Sequence, residues 1–304
     1  MKRLSRREFF RTTGFVALGA FAAACAKKIS PGPGGGKTLK SITTGHQQTV
    51  TMNAAGFEIL SGTPDRLVFN LINPANGSAI TTPSVQVWIA PDTTSDATGP
   101  LTATYRDAGL PAEKGFYEIP LTIPKDGTWL AVVIAQGPSG TDYGSAQFQV
   151  GRQTAMPKTG DHAVSVPTPT VKDHRGVNPI CTASPQCGMH TISLDDALKS
   201  GKPTVLIIAT PKFCTSALCG PETDVVKSVS KGFAGTMNFI HVEVYKDDKA
   251  TTIQRQLVSP AAAAWHLDQE PVIYYIDKSG IVQARTIGPA DKAEVQAAAT
   301  TLAG

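Results

Sequence analysis

Outside residues 1–24 the chain has no surplus of charge of either sign. That segment holds five basic residues (Lys2, Arg3, Arg6, Arg7, Arg11) against Glu8, which leaves 23 of the 28 basic and 23 of the 24 acidic residues for the remainder. A basic face for nucleic acid therefore has no support in composition. Charged residues are also scarce, at 17%, while glycine (28) and proline (22) are plentiful, as suits a loop-rich secreted protein. No apolar run is long enough to span a bilayer as a mature helix, the best being the short Gly14–Ala24. Cysteine is missing between Cys25 and Cys181, so whatever folds there must hold by packing alone. The 304 residues leave room for two domains.

The N-terminus reads as a targeting segment and stays outside the fold argument. Ser5-Arg6-Arg7-Glu8-Phe9-Phe10 resembles the twin-arginine export motif. Ala22-Ala23-Ala24-Cys25 resembles a bacterial lipobox with Ala22 where leucine is usual, which implies a signal over 1–25 and a lipid on Cys25. Plain secretion after a nearby small-residue cleavage site is the alternative. The expectation is a lipid anchor at the extracytoplasmic face of the cell membrane. Five cysteines are an odd number for an exported protein; with Cys25 lipidated, Cys181, Cys187, Cys214 and Cys219 remain. Four allow three pairings, and local spacing favours Cys181–Cys187 and Cys214–Cys219, which an oxidising compartment would preserve.

Residues 26–45, rich in Lys, Gly, Pro, Ser and Thr, read as a flexible tether. Their Pro31-Gly-Pro-Gly-Gly-Gly-Lys37-Thr38 imitates a phosphate-binding loop but lacks the first glycine and any preceding strand. Residues 46–150 read as all-β, with strands expected at Arg66–Ile72, Ser84–Ile89, Gly115–Ile123, Thr128–Ile134 and Ser145–Val150, separated by turns such as Asn73-Pro-Ala-Asn-Gly77. That pattern predicts an immunoglobulin-like sandwich with Phe69, Trp88, Tyr117 and Trp129 in its core. The stretch Gly115–Val133 resembles small bacterial extracytoplasmic sandwiches of the YtkA/FixH kind. Some of those relatives occur in copper settings, but this region offers only His46 and Met52 as ligands, too few for a metal. It is read as a spacer or docking domain.

Residues 151–170, rich in Pro, Thr and Gly, read as a linker, and 171–304 as an α/β domain of order β-α-β-α-β-β-α. Its most informative stretch is Pro203-Thr-Val-Leu-Ile-Ile-Ala-Thr-Pro-Lys-Phe-Cys214. Val205 to Ala209 is apolar throughout, as in a strand buried on both faces. A cysteine follows at the strand's C-terminal end, where chemistry sits in open α/β sheets. This stretch, with Gln269-Glu-Pro271-Val-Ile-Tyr-Tyr-Ile-Asp277-Lys-Ser-Gly280-Ile-Val282, resembles two landmarks of a thioredoxin-fold protein in the right order. The resemblance implies a cis proline at Pro271 that, with Glu270 before it, lines a groove for an incoming peptide.

The spacing departs from the family. Cys214-Thr-Ser-Ala-Leu-Cys219 replaces Cys-x-x-Cys, and residues five apart on one helix lie beyond disulfide reach, roughly 8.6 Å against a limit near 7 Å. Either 214–218 is a loop with the helix starting near Pro221, or oxidation unwinds a turn; the loop is preferred. The same spacing occurs in some peroxiredoxins, but Pro211 stands where those need Thr or Ser, and Arg285 would have to supply their guanidinium. Copper chaperones of the Sco kind suggest a Cu(I) set of Cys214, Cys219 and His266. Cys181-Thr-Ala-Ser-Pro-Gln-Cys187 is expected to be a structural staple, with a second redox pair as the alternative. Cys181, Cys187 and His190 would give zinc three ligands, with no fourth evident.

The resulting expectation is an exported, membrane-anchored thiol–disulfide oxidoreductase without cofactor. Cys214 attacks, Cys219 resolves, and the partners are thiols and disulfides of exported proteins or a membrane redox partner. A redox-inactive binding module is the competing class.

Overall fold

The protein is described from a computed structural model over residues 27–28, 36–55, 58–137, 140–214, 218–249 and 257–304. The export signal and Cys25 lie outside these residues. Among the described residues no helix is long and apolar enough to cross a membrane.

The N-terminal part is built from β1 (Lys27–Lys28), α1 (Leu39–Thr43), β2 (Thr51–Ala55), β3 (Asp65–Asn73), β4 (Ser78–Ala79), β5 (Ser84–Ala90), β6 (Thr98–Arg106), β7 (Phe116–Thr122), β8 (Gly127–Gly137) and β9 (Gly140–Val150). The strands form one hydrogen-bonded path, β2-β3-β7-β6-β5-β8-β9, antiparallel throughout. The path turns back on itself: Val50 N–H donates to Tyr143 O, Tyr143 N–H donates to Gln47 O, and Ile59 bridges Val150. The sequence reading holds as far as an all-β fold with alternating burial. Instead of two separately bonded sheets there is one continuous path around a core that includes Phe69, Tyr117 and Trp129. Trp88 lies outside that core and packs with Leu39, Ala90 and Val132.

Two segments expected to be free are docked. In the tether, Thr38 and Ser41 form a reciprocal cap on α1, which buries Leu39. In the stretch expected as a linker, Gly160 N–H donates to Val282 O and Ala163 N–H to Gly280 O, so it runs along the second sheet. Val164 and Val166 pack on that sheet's core.

The C-terminal part comprises α2 (Leu194–Lys199), β10 (Thr204–Ala209), α3 (Cys219–Ser230), β11 (Asn238–Glu243), α4 (Pro260–Ala264), β12 (Val272–Ile276), β13 (Val282–Ile287) and α5 (Lys292–Ala303). The sheet order is β11-β10-β12-β13. β10 and β11 are parallel, β12 is antiparallel to β10, and β13 returns antiparallel to β12. Every residue of β10 and β12 is buried, because helices cover both faces and leave an apolar run as the only stable filling. This β-α-β-α-β-β-α order with the first strand central is the core arrangement that the thioredoxin resemblance implies. Asp291 is the N-cap of α5 and accepts from Glu294 N–H at 2.8 Å.

Partly buried ion pairs join the two parts. Arg66 on β3 donates to Glu294 at 2.9 Å and to Pro289 O at 2.7 Å. Arg106 reaches Asp291 at 3.1 Å, and Arg285 on β13 pairs with Glu58.

Candidate functional site

The antiparallel register of β10 with β12 pairs Ile208 with Val272, so the end of β10 and the start of β12 share one edge of the sheet. Beyond that edge the chain runs from Thr210 to Cys214, and on the other side it enters β12 through Glu270 and Pro271. The Glu270–Pro271 bond is cis, as the resemblance implies. α3 begins at Cys219, two residues before the start favoured from sequence, with Leu218 as N-cap.

Cys214 and Cys219 differ in exposure. Cys214 is half-buried; Cys219 is fully buried beneath it. The backbone N–H of Cys219, the first of α3, donates to Cys214 Sγ at 3.3 Å. The opening N–H groups of a helix have no internal partner and carry partial positive charge, so a sulfur facing them is favoured as thiolate. Contact with Cys214, and then burial, push the Cys219 thiol far above its ordinary range. One sulfur is thus placed to attack and the other to hold its proton.

Glu270 sits within electrostatic reach of both thiols. Burial first, and then the Cys214 charge, raise its carboxyl to about 8. Tyr245 faces the same edge; burial, followed by Glu270 and the two cysteines, raises its phenol. Its ring meets Phe213 edge-on at 5.8 Å. Neither Tyr245 nor the acid–base character of Glu270 was legible in sequence. The expected peptide-groove residue Pro271 is buried, and its carbonyl accepts from Gly288 N–H at 2.9 Å.

Two other expected contributors are elsewhere. Arg285 donates to the carbonyls of Met156 and Pro157 and to Glu58, which commits it to the junction with the N-terminal part. His266 is exposed and does not join Cys214 and Cys219 in a ligand cluster, so the copper set is not gathered.

The one ligand cluster among the described residues lies deeper. Cys181, Cys187, His190 and His241 are all buried, with their ligand atoms within 4.8 Å of one another. The pair expected as a disulfide staple is here two free thiols with sulfurs 3.5 Å apart. Cys187 Sγ lies 3.4 Å from His190 Nε2 and 3.4 Å from His241 Nδ1, and Cys181 Sγ lies 3.8 Å from the same Nδ1. His241, which sequence reasoning missed, supplies the fourth ligand position. It sits on β11 opposite Ile207, and its Nε2 is 3.0 Å from Ala209 O. A carbonyl only accepts, so Nε2 carries a proton and Nδ1 is the atom that faces the sulfurs. Contact with Cys187 lowers the Cys181 thiol well below its ordinary range, with help from the two imidazoles and against burial. Cys187 is correspondingly raised by Cys181 and by burial.

No protein-family model matches the chain, and no curated protein matches it. Among solved structures it is similar to a thioredoxin-family thiol:disulfide interchange protein from Chlorobium tepidum TLS. The identity is 17% and the TM-score 0.34, over 49% of this chain and 99% of that one. It is also similar to a Chlorobium tepidum protein described as the thiol:disulfide interchange protein DsbE. There the identity is 15% and the TM-score 0.34, over 49% of this chain and all of the other. Likeness at this level assigns no activity. The thioredoxin-like character of residues 204–303 rests on strand order, register and the placement of Cys214 at the sheet edge.

Proposed function

We propose that the chain is a thiol–disulfide oxidoreductase of the extracytoplasmic face, anchored through a lipid on Cys25 and acting on exported proteins. The N-terminal β part serves as an immunoglobulin-like spacer or docking module. The observation that carries the reading is the Cys219 N–H on Cys214 Sγ at the first turn of α3, with Cys219 sealed below.

In the reducing direction the Cys214 thiolate attacks a substrate disulfide, forming a mixed disulfide and releasing one substrate thiolate. Cys219 then gives up its proton and attacks Cys214 Sγ. The mixed bond breaks, the second substrate thiolate leaves, and Cys214–Cys219 closes, so two electrons pass to the substrate. Glu270, with its carboxyl titrating near 8, is the group positioned to take and return the Cys219 proton. Oxidation of a substrate dithiol is the same path in reverse. Closing the bond brings together residues five apart, of which Cys219 is the first residue of α3 and Cys214 lies ahead of the helix.

The test is a Cys219→Ser variant expressed in an exporting host. Exported proteins should accumulate as mixed disulfides on Cys214 and be released by reductant. No captured protein, together with Cys214 alkylation by iodoacetamide no faster than free cysteine at mildly acidic pH, would refute the assignment.

A further inference from the structure

We propose that Cys181, Cys187, His190 and His241 form a closed tetrahedral zinc site that pins the segment ahead of the redox loop to the sheet.

Four of the six separations between ligand atoms match a tetrahedron, and the other two are within 4.8 Å. With Zn–S near 2.3 Å and Zn–N near 2.0–2.1 Å, tetrahedral angles place two sulfurs about 3.8 Å apart and a sulfur and nitrogen about 3.5 Å apart. The structure has 3.5 Å between sulfurs and 3.4, 3.4 and 3.8 Å between sulfur and nitrogen. Each is within about 0.3 Å of the ideal set by those bond lengths.

The chemistry fits as well. Ala209 O fixes His241 in the tautomer that ligates through Nδ1, the outer-shell arrangement usual for a metal-bound imidazole. A disulfide between the two sulfurs would leave that lone pair, and His190 Nε2, buried against a group with no proton to give. Charge decides between metals. Two thiolates and two neutral imidazoles around Zn²⁺ make a neutral unit, which burial tolerates. Cu(I) would leave one uncompensated negative charge in an apolar cluster that already faces Glu243. Lys227, whose Nζ donates to Gln186 O at 3.2 Å, is a cation whose charge is felt at Cys187. All four ligands are protein side chains and all are buried, so the site has no open position for a substrate; it is structural.

What it holds follows from its neighbours. Thr182, next to Cys181, gives its N–H and hydroxyl to Glu243 Oε1 at 2.6 Å each, and its Oγ1 accepts from Lys212 N–H at 3.1 Å. Ala209 ends β10, and Lys212 lies two residues before Cys214. The metal therefore anchors both the 181–190 segment and the approach to the redox cysteine.

The test uses the full chain carrying Cys214→Ser and Cys219→Ser, so the result does not depend on the redox reading. Elemental analysis should find a single zinc per chain. Replacement by cobalt should give intense tetrahedral visible bands and a sulfur-to-cobalt charge-transfer band, both lost in Cys187→Ser and in His241→Ala. A metal-free chain with Cys181 and Cys187 joined, a cobalt spectrum lacking sulfur charge transfer, or copper in place of zinc in the chain as isolated would each overturn the zinc assignment. The cobalt spectrum of the parent chain stands even if a ligand variant fails to fold.

Discussion

Glu270→Gln isolates one buried carboxyl. In the folded chain Glu270 titrates at about 8, against an ordinary 4.5, with burial the largest cause. The folded state therefore holds this proton more tightly than the unfolded chain. Its stabilising contribution is complete below the unfolded value and disappears as pH rises toward the folded one. At about 1.4 kcal/mol per pH unit the rise corresponds to an upper limit of roughly 5 kcal/mol. The carboxyl keeps some contact with water, so about 2–3 kcal/mol is the working magnitude after screening. Glutamine keeps the shape and does not titrate. Urea unfolding of the reduced wild type and Glu270→Gln, followed by tryptophan fluorescence, should show a stability gap in favour of the variant that is larger by that amount at about pH 9 than at about pH 5. In a Cys214→Ser background the change should shrink and keep its sign, because the thiolate is the second cause and burial the first. A gap that stays constant between the two pH values to within about 0.5 kcal/mol would show that Glu270 titrates as an ordinary carboxyl, and its role as proton acceptor would go with it.

Two further substitutions probe the frame around the site. Arg66→Ala removes the cation that faces Glu294 and Pro289 O across the junction of the two parts, and should cost about 1–3 kcal/mol in chemical denaturation, because a half-buried carboxyl loses its ion-pair partner; no measurable loss would mean that water screens the pair. Trp265→Ala empties a fully buried site packed against Tyr274 with ring centroids 4.5 Å apart, and should cost about 3–5 kcal/mol, read as a lower urea midpoint with unchanged slope.

The parts of the fold that were legible in sequence are those in which one local rule decides. Val205–Ala209 and Val272–Ile276 are uninterrupted apolar runs, and both are fully buried strands in the structure. β6 escaped because Gly99-Pro100 inside it reads as a chain breaker, although the chain passes through as an extended strand. α2 escaped because six residues carry too little periodicity to register. The tether and linker were misjudged for another reason. Composition reports the average polarity of a segment, whereas docking turns on a few residues such as Leu39, Val164 and Val166 that find a partner surface far away in sequence. The site divides in the same way. Cys214 and Pro271 belong to stretches with their own local signature. His241 is 54 residues from Cys187 and stands in a different element, the strand β11, so no spacing rule reaches it. A signal was nonetheless present: an imidazole in a strand with both faces covered must have polar partners.

Four thiols share one apolar cluster, Cys181, Cys187 and Cys219 inside it and Cys214 packed against it, yet productive exchange needs only one pair to react. Packing does not separate them; their polar partners do. The imidazoles of His190 and His241 face Cys181 and Cys187, while the start of α3 faces Cys214. Removing one imidazole should therefore change which disulfides form, as well as lowering stability. On mild oxidation of the reduced wild type, peptide mapping should find Cys214–Cys219 as the first and dominant bond, with Cys181 and Cys187 still alkylatable. In His241→Ala, Cys181 and Cys187 lose the imidazole set against their sulfurs, and Cys181–Cys187 or cross-pair bonds should appear on the same timescale. If the wild type already gave mixed bonds among all four sulfurs, the partition would not be set by the histidines. The inner pair would then have to be regarded as part of the redox chemistry itself.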